Sequence, residues 1–524
     1  MLNLLMNKVE MNLKERKMKK TAIITILLLV CGIYSLFSAH LAYASNVQVT
    51  DVQLLDVGNT PNTARIQFTL SQENTFGDLT YDGKQYSDYV WVFVKYATVP
   101  VSESVGYKHA TLIPGVGCIG AYNSTTGEGI GTDNTGKGKG VFIKAYNART
   151  PVESKNIFSV LWDFGTDEVL ATDNIKVKVC AIEMVKIPEG PFYYDVWWAH
   201  GQAGAFTVGF GTANNYGGGA EMLVSGINDK PVGSATDWPN GYSSFYVMKY
   251  ELSQGQYTDF LNMLPASVAV NRFNTKAGSL YQYTITYDST KAYGERYSVG
   301  IAERACNYLD WDDALDYASW SALRPMTEME FEKAARGTTV SGILPVNNGS
   351  FVFSADYIDA DALNPVYMPL GHLAPYVAPE YYANYSANGE YIDGPTNVGN
   401  YVSGDIVRTN TSNVRQDGTS VYGVADLSGN LWERVIGCVS PAKPLNGDGI
   451  VRALSDYNSS LGWPGLNTKF STYIGHGLRG GGFTHSFWDL QISGRGLMST
   501  TGTNGHYYDT ASYPAGFRGV RTLG

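Results

Sequence analysis

Between Asn46 and about Ile182, apolar residues recur at every second position and never at helical spacing; no other feature limits the fold so strongly. Val47-Gln48-Val49-Thr50-Asp51-Val52 alternates, as do Ala64 to Leu70 and the aromatic run Tyr89-Val90-Trp91-Val92-Phe93-Val94. The stretches Gly140 to Ala145 and Asn174 to Val179 repeat the pattern. Successive side chains of a strand point to opposite faces, so alternation of this kind marks strands packed on a core. A Gly/Thr/Asn-rich stretch from about Ser104 to Gly140 interrupts them as loops and short hairpins. Short strands at this spacing predict a small all-β sandwich of immunoglobulin or fibronectin type over residues 45–182.

From residue 183 onward the texture changes to helices set among long loops. Ser253 and Gln256 have the spacing of a capping box, in which each side chain serves the other's backbone amide, and Phe260, Leu261 and Leu264 supply an apolar face. Trp311, Ala314, Leu315 and Ala318 recur at i, i+3, i+4 and i+7 and predict a helix from Trp311 to Trp320. Asp310, Asp312 and Asp313 crowd its start, where the helix dipole favours negative charge. Thr327 and Glu330 form a second capping box, opening a helix that ends at Gly337. The remaining third carries glycine turns and short strands. The fold class is therefore α+β, an irregular domain over 183–524 preceded by the sandwich.

The first 44 residues have the features of a signal peptide, with the true start possible at Met18. Met18-Lys19-Lys20 is basic, Thr21 to Phe37 is mostly apolar, and Ala42-Tyr43-Ala44 forms a cleavage site before Ser45. This predicts export to a periplasm, a cell surface or the medium, with no membrane span after cleavage. A net charge of −10 and the lack of Lys/Arg clusters argue against nucleic acid as partner. Beyond the leader stand Cys118, Cys180, Cys306 and Cys438. Pairing within each half would give two disulfides, and four buried thiols is the alternative. No C-x-x-C spacing exists to suggest a structural zinc.

The later blocks have a recognisable order. Met184 to Phe192 (Met-Val-Lys-Ile-Pro-Glu-Gly-Pro-Phe) is followed by Phe245 to Glu251, Trp311-Asp312-Asp313-Ala314, and Arg324 to Gly337. Tyr422 to Glu433 (Tyr-Gly-Val-Ala-Asp-Leu-Ser-Gly-Asn-Leu-Trp-Glu), Leu478-Arg479-Gly480-Gly481 and Gly516-Phe517-Arg518 complete the set. Over about 340 residues this resembles the formylglycine-generating-enzyme, or sulfatase-modifying-factor, family, whose irregular fold is related to C-type lectins. Leu161 to Gly165 is similar to sandwich modules that often precede that domain.

The resemblance implies a chemistry that the residues do not support. Catalytic members carry a cysteine pair shortly after the Arg-Gly-Gly block and bind copper there, a soft ion that wants thiolates. Here the segment is Gly482-Phe483-Thr484-His485-Ser486-Phe487-Trp488-Asp489-Leu490, and no cysteine follows Cys438. Formylglycine generation and a copper cofactor are not expected. A sister branch holds non-haem iron through clustered histidines. His476, His485 and His506 share no short ligand spacing, so iron is not expected either.

One metal site carries over. The family's Asp/Asn-x-x-Gly-Asn-x-Trp-Glu segment holds calcium through two side chains and two carbonyls, here Asp426 and Glu433 by side chain and Gly429 and Leu431 by carbonyl. Hard oxygens on a tight turn suit Ca²⁺, with a structural role; capping of local turns is the alternative. A second, weaker calcium site would use Asn384 and Asp393. Arg479, Arg495 and Arg518 fall at the family's buried arginine positions, and Trp311, Trp320 and Trp432 are expected in the core. The family's substrate groove would be lined by Thr484, His485, Ser486 and Trp488. Beyond them come Asn504, His506, Tyr507, Tyr508 and Tyr513, residue types favoured by adaptable recognition loops.

These readings predict an exported, non-catalytic binding or surface-structural protein, whose C-terminal loops meet a glycan, a cell-envelope component or a protein. Two alternatives stand beside it. One is a metal-dependent oxidoreductase of the same superfamily, which needs the three histidines to converge. The other is a retroelement-diversified receptor, which varies residues between the Gly-Gly block and the final Gly-Phe-Arg.

Overall fold

The computed structural model describes residues 47–58, 62–72, 79–81, 83–113, 119–120, 138–144, 154–194, 222–230, 234–273, 280–337, 350–353, 356–359, 394–399, 420, 422–437, 442–464, 469–470, 473–485 and 514–522. The leader, Cys118 and Cys438 lie outside them, as do Asn384, Asp393, Ser486, Trp488, Arg495, Asn504, His506, Tyr507, Tyr508 and Tyr513.

Ten strands frame the described architecture. They are β1 (Gln48–Leu55), β2 (Thr63–Gln72), β3 (Asp88–Thr98), β4 (Ser154–Asp163) and β5 (Ile175–Ile187), then β6 (Phe245–Met248), β7 (Arg324–Thr327), β8 (Trp432–Ile436), β9 (His476–Arg479) and β10 (Gly519–Thr522). Five helices of seven or more residues accompany them among the described residues: α1 (Gln254–Met263), α2 (Ala266–Arg272), α3 (Trp311–Trp320), α4 (Glu328–Arg336) and α5 (Leu454–Leu461). The protein is sheet-rich with few helices, an α+β fold.

One sheet has β1, β2 and β4 in that order, extended by Leu112–Ile113, with Ile119–Gly120 also on β4. The larger sheet runs β9-β8-β7-β10-β6-β5-β3 and ends on Lys108–His109. Most of its pairs are antiparallel, but β7 and β8 are parallel, with Met326 opposite Val435. Strand β5 joins the two ends of the chain within this sheet. Its Ile175–Val185 stretch pairs with β3, and Met184–Ile187 pairs with β6. The position between residues 182 and 183 lies inside this one strand.

The alternation of β3 and β5 is put to use on both faces. Val90, Val92, Val94 and Tyr96 of β3 meet Ile66, Phe68 and Leu70 of β2 and Val160 and Trp162 of β4 in one core. Trp91 and Phe93, on the opposite face, meet Phe260 and Leu261 of α1 and Trp311, Leu315 and Ala318 of α3. A third core places Phe331 and Ala334 of α4 against Val185, Val247 and Val520. The larger sheet is thus covered on both faces, which is why β3 is an almost unbroken apolar run.

The helix signals have their expected geometry. Ser253 and Gln256 form the capping box of α1, and Thr327 and Glu330 that of α4. Gly337 closes α4 with φ 78°. Helix α3 spans Trp311–Trp320, and Asp310 with Asp313 makes a further capping box. Trp311, Trp320 and Trp432 are buried. Cys180 and Cys306 are free thiols, so neither forms the disulfide expected within its half of the chain. Cys306 packs in the core beside Leu252 and Trp311, where a small apolar side chain suffices.

Candidate functional site

The segment from Tyr422 to Leu431 is buried as a chain of turns and then enters β8. Asp426, Gly429 and Asn430 adopt positive φ of 57°, 79° and 56°, which folds the backbone tightly around itself. Gly429 N–H donates to the Gly480 carbonyl at 2.8 Å, fixing this turn to the Arg479-Gly480-Gly481 block. Gly480 has φ 91°, and a Cβ there would lie 2.6 Å from the Leu427 carbonyl oxygen. Only glycine allows so close an approach.

Three carboxylates gather here. Asp426 and Glu433 are buried, and Glu251, which follows β6, is buried with them. Glu251 accepts from Leu431 N–H at 2.9 Å and from the Asn430 side-chain amide. Asp426 accepts from Gly399 N–H. Glu433 Oε1 takes the Arg518 Nε at 2.8 Å and Nη2 at 2.7 Å, whereas its Oε2 is buried without a hydrogen-bond donor.

Burial is the main force on all three carboxyls. It pushes Asp426 up to about 6, assisted by Glu433 and opposed by Gly399 N–H and Arg518. Glu251 rises well above the carboxylate range through burial and through Asp426 and Glu433. Glu433 rises through burial against the pull of Arg518. Three acidic groups around one guanidinium leave a deficit of positive charge in a low-dielectric setting. The pair Asp426 and Glu433, with the carbonyls of Gly429 and Leu431 on the intervening turn, is a donor set of hard oxygens fit for calcium. Among the described residues no group of three or more His, Cys, Asp or Glu side chains is arranged to hold a metal, so such a site would depend on the carbonyls. Glu251 was not picked out as a site residue. Its only signal is its place at the end of the Phe245–Glu251 block.

The loop after Gly481 turns back onto the same segment. Phe483 N–H donates to the Asn430 carbonyl at 2.9 Å, and His485 N–H to that of Gly482 at 2.8 Å. Trp432 Nε1 donates to His485 Nδ1 at 3.0 Å, and Thr484 Oγ1 lies 3.2 Å from that nitrogen. The indole proton requires Nδ1 to be the acceptor, which places the imidazole proton of neutral His485 on Nε2. Thr484 and His485 are part-exposed, so this corner reaches the surface.

His476 stands elsewhere. It begins β9, is buried, and stacks on Trp311 with ring centroids 4.4 Å apart and planes 6° apart. His476 and His485 are thus held by different tryptophans. The described thiols are ill suited to copper. Burial pushes Cys180 up to about 12 and Cys306 well above its ordinary range, and Cu(I) needs thiolates. Arg479 is buried and reaches Glu328 at 3.0 Å and Glu332 at 2.7 Å, tying β9 to α4.

Comparison with known protein families gives a match. Residues 177–523 correspond to the sulfatase-modifying factor enzyme 1-like domain. No curated protein matches the chain.

Proposed function

The chain belongs to the sulfatase-modifying factor enzyme 1-like family, and we propose that it is a non-catalytic member that binds or builds at the cell envelope. The observation that carries this reading is the Gly482–His485 corner. Where catalytic relatives are expected to place copper-binding cysteines, this chain has Thr484 and His485, with the imidazole hydrogen-bonded to Trp432. No thiol follows Cys438 in the sequence. The corner is hydrogen-bonded, part-exposed and polar, qualities that suit a recognition surface more than an oxidase centre. The ligand class is a glycan, an envelope polymer or a protein.

Three further features belong to the same reading. Residues 1–44 act as a signal peptide, so the mature chain works outside the cytoplasm. The N-terminal strands form an immunoglobulin- or fibronectin-like sandwich that presents the C-terminal domain. The core shared by β2, β3 and β4 supports this arrangement. Calcium, held by Asp426, Glu433 and the Gly429 and Leu431 carbonyls, braces the turn on which the corner rests. The donor-free Glu433 Oε2 supports that role. Bound there, calcium would supply positive charge to the buried carboxylates.

The test incubates the chain aerobically with Cu(I) or Fe(II) and a Cys-x-Pro-x-Arg peptide, and follows the peptide cysteine by mass spectrometry. No oxidation above the metal-only control is expected. Turnover would overturn the non-catalytic reading and make His476, His485 and His506 the residues to replace.

A further inference from the structure

Strand β5 has an edge that its neighbours leave open. Strand β6 pairs only with Met184–Ile187, and among the described residues no strand pairs on that side of Ile175–Glu183. The ladder with β3 fixes which backbone groups face outward. Val99 N–H donates to the Asn174 carbonyl at 2.9 Å, and the register then directs even-numbered residues of β5 towards β3. Odd-numbered residues from Ile175 to Glu183 point their N–H and C=O groups the other way. The Glu183 carbonyl agrees, accepting Lys249 N–H at 3.0 Å on the β6 side. At about 3.3 Å per residue this edge runs for roughly 30 Å.

A cavity of about 500 Å³ lies along it, with β1 on one side and α1 on the other. Its floor includes Phe93, Met248, Met263 and Trp320. Its charged lining is one-sided: Glu183, Glu251, Asp259 and Glu303 against Lys178. Glu251 is engaged by the Asn430–Leu431 turn and Glu183 interacts with Lys249, so the exposed Asp259 and Glu303 are the carboxylates that outnumber Lys178 at the rim. An open row of backbone donors and acceptors beside an apolar floor is the geometry that accepts an added strand.

We propose that this edge is a peptide-docking site: an extended segment of a partner protein pairs with β5 and lays a lysine or arginine side chain against the acidic lining. The strand ladder supplies affinity, and the carboxylates select a basic over an acidic segment. The cavity lining includes none of the residues of the Gly482–His485 corner, so the site does not depend on the function of that corner.

The experiment uses fluorescence polarisation of labelled heptapeptides with the full chain. The parent is Thr-Val-Lys-Val-Thr-Val-Thr. A second peptide carries glutamate in place of lysine. Two more carry N-methyl groups on alternate amides, one version for each peptide edge. The parent is expected to bind, the glutamate peptide to bind at least tenfold more weakly, and one N-methylated version to lose at least tenfold while the other keeps most of its affinity. The exposed-rim variant Asp259→Lys with Glu303→Lys is expected to weaken the parent at least fivefold at low salt. Absence of parent binding, equal binding by the glutamate peptide, or an equal response to both N-methylated versions would overturn the proposal. So would full displacement of the parent by phenethylamine, which would make the cavity a small-amine site, or a dimer in light scattering that the charge-reversal variant dissociates, which would make a second copy the occupant. The peptide series on the wild-type chain decides the matter even where the variant does not fold.

Discussion

Arg518 and Glu433 form a buried ion pair in which two guanidinium nitrogens, Nε and Nη2, converge on one carboxylate oxygen at 2.8 and 2.7 Å. The same guanidinium donates to the Met248 and Lys249 carbonyls, each at 2.9 Å, and to that of Ala425 at 2.7 Å. One side chain therefore locks the end of β6, the Tyr422–Leu431 turns and the C-terminal strand together. Removing one partner of such a pair strands the other charge in the interior and costs about 3–5 kcal/mol. Arg518→Met is expected to lower stability by that amount in urea unfolding. The double variant with Glu433→Met is expected to recover part of the loss, because the stranded carboxylate is gone.

On the proposed calcium reading, protons and Ca²⁺ would compete for the same carboxylates. Asp426 is pushed up to about 6 by burial, above its ordinary value of about 3.9. Between those values the folded state holds a proton that the unfolded chain has released. The group's contribution to stability is therefore fully present below the ordinary value and is lost as pH rises through 6. Calcium bound at the proposed site would remove the penalty by replacing the proton. Added Ca²⁺ is expected to raise the melting temperature clearly at pH 7.5 and much less at pH 5, read by differential scanning calorimetry. Asp426→Asn and Glu433→Gln are each expected to remove most of the calcium response, and an equal response at both pH values would remove the site.

The parts of this fold that were legible are those written in local spacing. Ser253 with Gln256, Thr327 with Glu330, and the apolar stripe from Trp311 to Trp320 are each complete within one or three turns of chain, and the structure has them in place. Strand β4 was harder to see because Ser154-Lys155-Asn156 breaks its alternation before Ile157. The continuation of β5 through residue 182 was obscured by the change of texture at 183, although Met184–Ile187 keep the same period. At the site, Asp426 and Glu433 were visible in one short motif. Glu251 was not, since its bond to Leu431 N–H spans 180 residues and no local pattern encodes such a pairing.

Helix α4 offers a test of how one carboxylate serves two roles. Glu330 Oε2 accepts Thr327 N–H at 3.0 Å, completing the capping box, and also Arg324 Nη1 at 2.8 Å. Its Oε1 takes Arg324 Nη2 at 2.5 Å. Thr327→Ala removes the hydroxyl half of the cap, together with the Oγ1 hydrogen bond to the Pro239 carbonyl, and is expected to cost about 1–2 kcal/mol. Glu330→Ala removes the carboxylate half of the capping box and strands a fully buried guanidinium, so about 3–5 kcal/mol is expected. Equal losses in chemical denaturation would mean that the Arg324 pair contributes nothing beyond the cap.

Lys95 carries the last prediction, because its position is costly in a way that pH can relieve. It lies in β3, fully buried, with Nζ donating to the Trp320 carbonyl at 2.6 Å and to that of Gly449 at 3.3 Å. The ammonium also sits 4.8 Å from the Trp320 ring centroid. Burial outweighs these contacts and pulls the group from 10.5 down to about 7. Between those values the folded protein holds fewer protons than the unfolded chain, so stability rises with pH across the window, by at most about 1.4 kcal/mol per pH unit. Below pH 7 both states are charged and the burial penalty is felt in full. Lys95→Met keeps a similar stem and has nothing to titrate. Urea unfolding of both proteins from about pH 7 to pH 9 is expected to show the wild type gaining on the variant at each step. A constant difference would mean that Lys95 keeps its proton in the core, with the two carbonyls and the indole face compensating its burial.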